Sequence, residues 1–350
     1  MLSGKSHKEL LQLARGLVPQ LKASMHKGQA GKIGVFGGCE DYTGAPFFAA
    51  HAAAIVGADL SHVVCERLAA PIIKGYSPDL MVHPYLYASD NVEVERFAPR
   101  EVWKNLARQP LEEGLEVGAV KKVVEEHILP KLAGLVERLD VFVVGPGFGR
   151  DPLMLATLAR VVEEIKVADK TVVLDADALF LVSKRPSLVS GYKKAVLTPN
   201  VVEFARLCEA VGVDSSSDGA ACALSQALGG VIVVRKGGAE EIVRGDKRVV
   251  NDMDGSPRRV GGQGDSLAGT MATMLVWAGH YDRGDLSLEP GVRGQRMGAD
   301  ESALVACFAA SAVVRVASAR AFAKHGRAMQ TSDVHACLGE ACHEVLGDAW

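Results

Sequence analysis

The chain has 350 residues, 48% of them apolar and 23% charged, with 37 glycines and a formal net charge of -3. That length suits one large α/β domain, and the composition excludes disordered, fibrous and membrane-embedded classes. Charge this close to neutral, without a basic stripe interleaved with aromatics, gives no reason to expect a nucleic-acid partner.

The first 32 residues are rich in Lys and Arg and poor in acid, as mitochondrial transit segments are. A structural reading competes with this. Ser6-His7-Lys8-Glu9 fits a capping box, Leu10, Leu11, Leu13 and Leu17 follow at roughly helical spacing, and Pro19 would end or kink the helix. From Ile33 onward short β-rich runs alternate with helical stretches, the signature of a mostly parallel sheet. Strands are predicted at 33–36, 61–65, 79–83, 141–144, 171–174, 195–198, 231–234, 240–244 and 247–250, the last two as an antiparallel hairpin around Gly245-Asp246. Helices are predicted at about 46–56, 118–138, 152–166, 201–212, 218–228, 265–279, 300–323 and 332–346. Residues 280–300, rich in Gly, Pro, Arg and Asp, read as a surface loop, and 1–25 as a helical extension of a single domain spanning 1–350.

The seven cysteines are scattered and form no CxxC pair, which implies a reducing compartment, most simply the cytosol, with a mitochondrial pool left open. The longest apolar run, 303–317, is shorter than a membrane span and carries Arg315, so no membrane partner is expected. Apolar helices of this kind are compatible with self-association into a homo-oligomer.

Several predicted strands end in glycine or polar residues, and in a parallel sheet these ends gather at one edge, where open α/β folds bind ligands. They are Gly37-Gly38, Gly145-Pro146-Gly147, Asp175-Ala176-Asp177, Asn200 and Lys236-Gly237. The strongest signal is residues 255–275, GSPRRVGGQGDSLAGTMATML, where a glycine-rich turn runs straight into an apolar helix. Such a turn aims backbone N–H groups and the helix N-terminus at one point, so phosphate is the expected guest. Asp265 at the helix start reads either as an ordinary N-cap or as a base that takes the proton of an attacking hydroxyl. Arg258 and Arg259 could offset phosphate charge or be solvated.

Lys236-Gly237-Gly238-Ala239-Glu240 allows close approach by a nucleotide or makes a plain hairpin turn. In Asn200-Val201-Val202-Glu203-Phe204-Ala205-Arg206, Asn200 caps a helix with Glu203 as its capping-box partner. Gly145-Pro146-Gly147-Phe148-Gly149-Arg150 lacks both dinucleotide-fold and P-loop spacing, and Asp151 could cap the helix after it. Asp175 and Asp177 could hold a metal through water, with capping the favoured role for Asp177. HExxH, GxSxG and Cys/His clusters do not occur, which leaves zinc hydrolysis and serine catalysis without support.

In this order the stretches resemble the ATP-dependent NAD(P)H-hydrate dehydratase family, a branch of the ribokinase-like fold. The carriers are HKGQAGKIGVFGGCEDYTGAPFFAA (26–50), GADLSHVVC (57–65), IKGYSPDLMVHPYL (73–86), VVGPGFGRDPLML (143–155), VVLDADALFLV (172–182), AVLTPNVVEFARLC (195–208), GSPRRVGGQGDSLAG (255–269) and GRAMQTSDV (326–334). The GSPRRVGGQGD and SPDLMVHP blocks resemble the eukaryotic, ATP-using members. The resemblance implies a three-layer α/β/α ribokinase-like domain with a mostly parallel sheet flanked by helices on both faces. It implies the substrates (S)-NADHX and (S)-NADPHX, the hydrated forms of NADH and NADPH, with ATP as co-substrate and Mg2+ assisting. Carried over by motif, ATP would contact Lys236, Gly237, Gly238, Ala239 and Glu240, and Gly255, Ser256, Pro257, Arg258, Arg259, Val260, Gly261, Gly262, Gln263 and Gly264. The hydrate would contact Gly147, Asn200, Val201, Val202, Glu203, Phe204, Ala205 and Arg206, with Asp265 against the hydroxyl to be activated. Two departures stand out: Glu240 where the family usually has aspartate, and Phe148 in a turn that is usually GPGLG, which adds bulk beside Gly147. The competing function is a ribokinase-like kinase that releases a stable phosphorylated alcohol, such as a hydroxymethylpyrimidine or thiazole alcohol.

Overall fold

The computed structural model describes residues 2, 4–106, 108–110, 113–114, 117–285, 297–347 and 350. Its strands are β1 (Lys32–Phe36), β2 (Leu60–Glu66), β3 (Met81–Leu86), β4 (Val141–Val144), β5 (Thr171–Leu174), β6 (Ala195–Leu197), β7 (Ile232–Arg235), β8 (Glu240–Arg244) and β9 (Lys247–Asn251). They form one sheet in the order β3-β2-β1-β4-β5-β6-β7-β8-β9. Strands β1 to β7 pair in parallel, and β8 and β9 close the far edge as antiparallel strands.

Side chains alternate across each strand, so one sheet builds two cores. Val35, Val63, Val143, Val173, Val196 and Ile232 face the helices Gly44–Val56, Gln263–Arg283, Ala299–His325 and Thr331–Leu346. Phe36, Val64, Phe142, Val144, Leu174 and Val233 face Leu129–Arg138, Pro152–Val167, Asp177–Lys184 and Val201–Ala210. The result is the expected α/β/α sandwich.

All nine predicted strands are present, with small shifts at the ends. β3 starts later than expected and carries Pro84, which is tolerated because β3 is an edge strand. The hairpin turns at Gly245, φ +58°, with Arg244 opposite Lys247. The helix predicted at 118–138 is interrupted by a π-turn over Val123–Ile128. Pro130, just beyond it, has no N–H to donate and crowds the carbonyl four residues back, so the regular ladder breaks there. Short helices at Ala70–Tyr76, Arg100–Leu106 and Asp177–Lys184 are too brief to leave a clear period in the sequence.

The N-terminal helix runs from His7 to Arg15 with the Ser6–Glu9 capping box in place, ending at Gly16 before Pro19. Leu10, Ala14 and Leu17 are buried in the main core, so this segment packs as structure. The expected loop at 280–300 is narrower. The preceding helix continues to Arg283 and the next begins at Ala299, while 286–296 lie outside the described residues. The reading that no apolar stretch reaches spanning length needs correction, because Ala299–Ala328 is long and apolar enough to cross a bilayer by length and composition. Its most apolar window is 83% buried inside the protein, where it serves as the central helix of one core.

Ala176, directly after β5, has φ 49° and ψ -115°, a region that alanine occupies only under strain. Replacing it with glycine removes the Cβ conflict at some entropic cost. Ala176→Gly should therefore raise stability by about 1 kcal/mol in a denaturant titration. An unchanged or lower midpoint would show that no strain is stored there.

Candidate active site

The carboxyl ends of β1, β4, β5, β6 and β7 converge as expected. The turn after β4 is packed tightly: Gly38 N–H donates to the carbonyls of Pro146 and Gly147, both at 3.1 Å. A Cβ on Gly145 would sit 1.9 Å from the Asp175 carbonyl, and one on Gly37 would sit 2.2 Å from that of Pro146. Only glycine permits these approaches. Phe148 points into the opposite core and is fully buried, so the bulk expected beside Gly147 lies elsewhere. Gly147 itself is partly open, with φ +58° and Tyr42 beside it.

Lys236 at the end of β7 and Asp175 at the end of β5 form an ion pair at 2.7 Å, Asp175 being almost wholly buried. Gly264 closes over this pair, since a Cβ there would lie 3.3 Å from Lys236 Nζ and 3.8 Å from Asp175 Oδ2. Asp265 follows at once. Burial pushes its carboxyl up to about 7, Asp175 and Glu203 add to the rise, and Lys236 opposes it. Glu203 is also raised by burial. Burial alone would lower the Lys236 ammonium, but Asp175 and Glu203 outweigh it and hold the group above its ordinary value.

Asp265 is not an N-cap. The helix Gln263–Arg283 starts after Gly262, which has φ 96°, and no side chain caps it. Its first-turn N–H groups therefore lack intrahelical acceptors and form a place for an anion. Asp177 is not a cap either. Its carboxylate accepts from Gly149 N–H at 2.9 Å and pairs with Arg150 at 3.2 Å, which secures the β4 turn. Asp151 and Asn200 cap their helices as expected, the latter with Glu203 as capping-box partner.

The glycine loop rests on a support that sequence reasoning missed. A Cβ on Gly262 would lie 2.7 Å from the Phe48 ring, and Thr331 Oγ1 donates to the Gly261 carbonyl at 2.5 Å. The Ser266 hydroxyl donates to the Gly262 carbonyl at 2.8 Å, and its oxygen lies 2.7 Å from His335 Nε2. His335 Nδ1 is in turn 2.9 Å from His51 Nδ1. Burial pushes His335 down to about 3, so it is neutral. With the serine proton committed to Gly262, His335 donates from Nε2 and accepts at Nδ1 from His51.

Lys236, Gly237, Gly238, Glu240, Gly255, Arg259, Val260, Gln263, Gly264, Asn200 and Val201 line one open cleft of about 570 Å³, together with Leu267, Ser311, Val314, Arg315 and Ser318. That size suits a nucleotide. Other predicted residues lie differently. Ala239 and Pro257 are exposed, Ser256 is buried beneath the loop, and Arg258 Nε donates to the Met329 carbonyl at 2.9 Å. Arg258 thus ties the loop to the C-terminal helices. Phe204 is buried in the core, leaving Val201, Val202, Ala205 and Arg206 on the exposed side of their helix. Among the described residues no group of three or more His, Cys, Asp or Glu side chains is arranged to hold a metal.

A mostly parallel sheet with a glycine-rich helix N-terminus at its carboxyl edge, facing a half-buried lysine and carboxylates, defines a ribokinase-like fold. Solved structures agree on that fold. A ribokinase-like superfamily protein from Enterococcus faecalis matches with TM-score 0.65 at 19% identity, over 98% of this chain and 96% of the other. The ADP/ATP-dependent NAD(P)H-hydrate dehydratase from Bacillus subtilis, co-crystallized with ATP/Mg2+, matches with TM-score 0.60 at 18% identity, over 96% and 97%. In sequence the kinship is closer. The NAD(P)H-hydrate dehydratase family profile matches residues 33–339. The ATP-dependent (S)-NAD(P)H-hydrate dehydratase of Candida albicans is 46% identical over all of this chain and 98% of its own. The human protein of that name is 42% identical over 98% of this chain and 86% of its own. The chain belongs to the NAD(P)H-hydrate dehydratase family.

The Asp265 environment sets a sign for stability against pH. Between about 4 and about 7 the unfolded chain has lost this proton and the folded one keeps it, so stability falls as pH rises and levels off above about 7. Asp265→Asn removes the effect. The variant should gain on the wild type across that window, by ~2–4 kcal/mol at the upper end. Denaturant midpoints at pH 4.5 and pH 8, about the two ends of the window, read the difference; an equal offset at both would refute a buried, proton-holding Asp265.

Proposed function

We propose that the protein is an ATP-dependent (S)-NAD(P)H-hydrate dehydratase, restoring NADH and NADPH from their hydrates with release of ADP and phosphate. The observation that carries this reading is Asp265, a half-buried carboxylate whose field comes from Lys236 and Asp175, in the first turn of an uncapped helix and directly after Gly264, which lines the cleft. Family membership and the names of the full-length relatives supply the substrate class.

In this reading ATP lies in the cleft with its triphosphate toward Gly264 and the first-turn N–H groups. Lys236 neutralises charge there, and Asn200 and Gly147 lie on the side open to the hydrate. Asp265 takes the proton of the hydrate's hydroxyl as the oxygen attacks the γ-phosphorus, forming an O–P bond while the bond to ADP breaks. Hydroxyl is a poor leaving group and phosphate a good one. The C–O bond then breaks with the phosphate carrying the oxygen away, and loss of a neighbouring proton leaves the double bond of the reduced nicotinamide. Magnesium, when bound with ATP, supplies charge neutralisation on the transferring group. A pKa near 7 suits a base that must accept a proton at neutral pH. A cytosolic site of action belongs to the same reading, supported by seven free cysteines.

The test is incubation of the enzyme with ATP, Mg2+ and NADH hydrate. Near-ultraviolet absorbance of NADH should return with one free phosphate per turnover, and ADP should not replace ATP. Asp265→Asn should lower turnover about 100- to 10,000-fold. A stable phosphorylated product would make the protein a small-alcohol kinase, and full activity of the variant would remove Asp265 from the mechanism.

A further inference from the structure

The helix Ala299–His325 is apolar almost throughout, yet Ser311, Arg315 and Ser318 lie on one face of it at i, i+4 and i+7. All three are nearly or fully buried, Arg315 with only 9% exposure. A buried arginine in an apolar helix is costly unless its donors are matched. Here they are matched: Gly237, Gly238 and Glu240 line the cleft, and Met253 stands two residues before Gly255, which also lines it. Arg315 Nη2 donates to the carbonyls of Gly237 at 3.1 Å and Gly238 at 2.7 Å, and Nη1 to that of Met253 at 2.7 Å. Nε is bonded to Glu240 Oε2. The same oxygen accepts from the Ser311 hydroxyl at 2.7 Å, and Ser311 accepts from Asn251 Nδ2 at 2.7 Å. Ser318 Oγ accepts from Ser256 N–H at 3.2 Å.

Two loops meet on this one face. The first, 236–240, joins β7 to β8; the second, 251–256, leads from β9 into the glycine turn. The bases of the two loops are neighbours in the antiparallel β8–β9 ladder, where Glu240 lies opposite Asn251. Beyond that pairing, Arg315 ties the Gly237 and Gly238 carbonyls to that of Met253 through one planar fork, whose fixed directions an ammonium cannot reproduce. Glu240 Oε2 is occupied by Ser311 and Arg315, so the carboxylate is also held in one rotamer. That accounts for the longer glutamate being accommodated at this position.

We propose that Ser311, Arg315 and Ser318 form the positioning floor of the nucleotide cleft, with Arg315 fixing the spacing of its two walls and thereby the affinity for ATP. The proposal rests on reading this cleft as the ATP site. Arg315 acts through the loops and is a positioning residue. Preformed walls spare the ligand the cost of ordering them, so losing the clamp weakens binding before it slows chemistry.

The experiment measures ATP affinity by calorimetry, and kcat and both KM values by turnover, in Arg315→Met, Arg315→Lys and the double variant Arg315→Met with Glu240→Gln. The double variant removes both buried charges, which guards against a single variant that cannot fold with Glu240 unpaired. The expected result is a rise in the Kd and KM for ATP on the order of tenfold in all folded variants. KM for the hydrate should stay within about twofold, kcat should fall less than KM rises, and lysine should fail to rescue. Equal changes in both KM values, a fall confined to kcat, or rescue by lysine would each overturn the proposal. Gly238→Trp separates the two readings, because it fills the cleft from a position whose Cβ meets nothing within 4 Å. If it weakens ATP binding and the Arg315 variants do not, the positioning role fails alone. If it leaves ATP binding intact, the cleft is not the ATP site and both readings fail.

Discussion

Lys236 and Asp175 come from β7 and β5, strands separated by β6, and their side chains meet at 2.7 Å above the sheet edge. Breaking such a pair leaves a charge stranded in a poorly solvated place, a loss of about 3–5 kcal/mol in comparable cases. The pair fixes where positive charge stands when the glycine turn arrives overhead, and it fixes the field that Asp265 feels. A Cβ on Gly264 would stand 3.3 Å from Lys236 Nζ, so any side chain there would press on the pair. Burial raises the Asp265 carboxyl, and since Asp175, Glu203 and Asp265 share one cation, Lys236, that carboxyl keeps its proton to about neutral pH.

The glycine loop has no regular structure of its own, and its shape is imposed from three directions. Phe48 and Thr331 press on Gly262 and Gly261, the Ser266–His335–His51 chain holds the Gly262 carbonyl, and Arg258 ties the approach to Met329. The helix Thr331–Leu346 therefore serves the site without touching the cleft. A neutral His335 is needed, because a second ring proton would point directly at the proton His51 donates.

The strands were legible because apolar runs of four or five β-branched residues admit few other structures, and their ends were legible because Gly, Asp and Asn stand there. Asn200 with Glu203, and Asp151, could be assigned as caps because capping is local chemistry over three residues. Asp265 and Asp177 looked like caps on the same evidence and are not. Gly262 takes the cap position of the first helix, and the strained Ala176 takes that of the second. Arg315 was visible only as a blemish in an apolar run, since nothing nearby in sequence marks Gly237, Gly238, Glu240 and Met253 as its partners. The i, i+4, i+7 spacing of Ser311, Arg315 and Ser318 was the available signal.

Taken alone, the sequence determined the alternation of strand and helix, the glycine-rich anion turn, the caps at Asp151 and Asn200 and the place of Asp265 beside that turn. These depend on dihedral preferences and hydrophobic period, which act over a few residues. Tertiary structure decided which polar groups share a space: Lys236 with Asp175, Glu240 with Arg315, and Ser266 with His335. Those pairs are separated by 61, 75 and 69 positions. Burial and Coulomb interaction depend on distance through space, and only the folded sheet and its two helical layers set that distance.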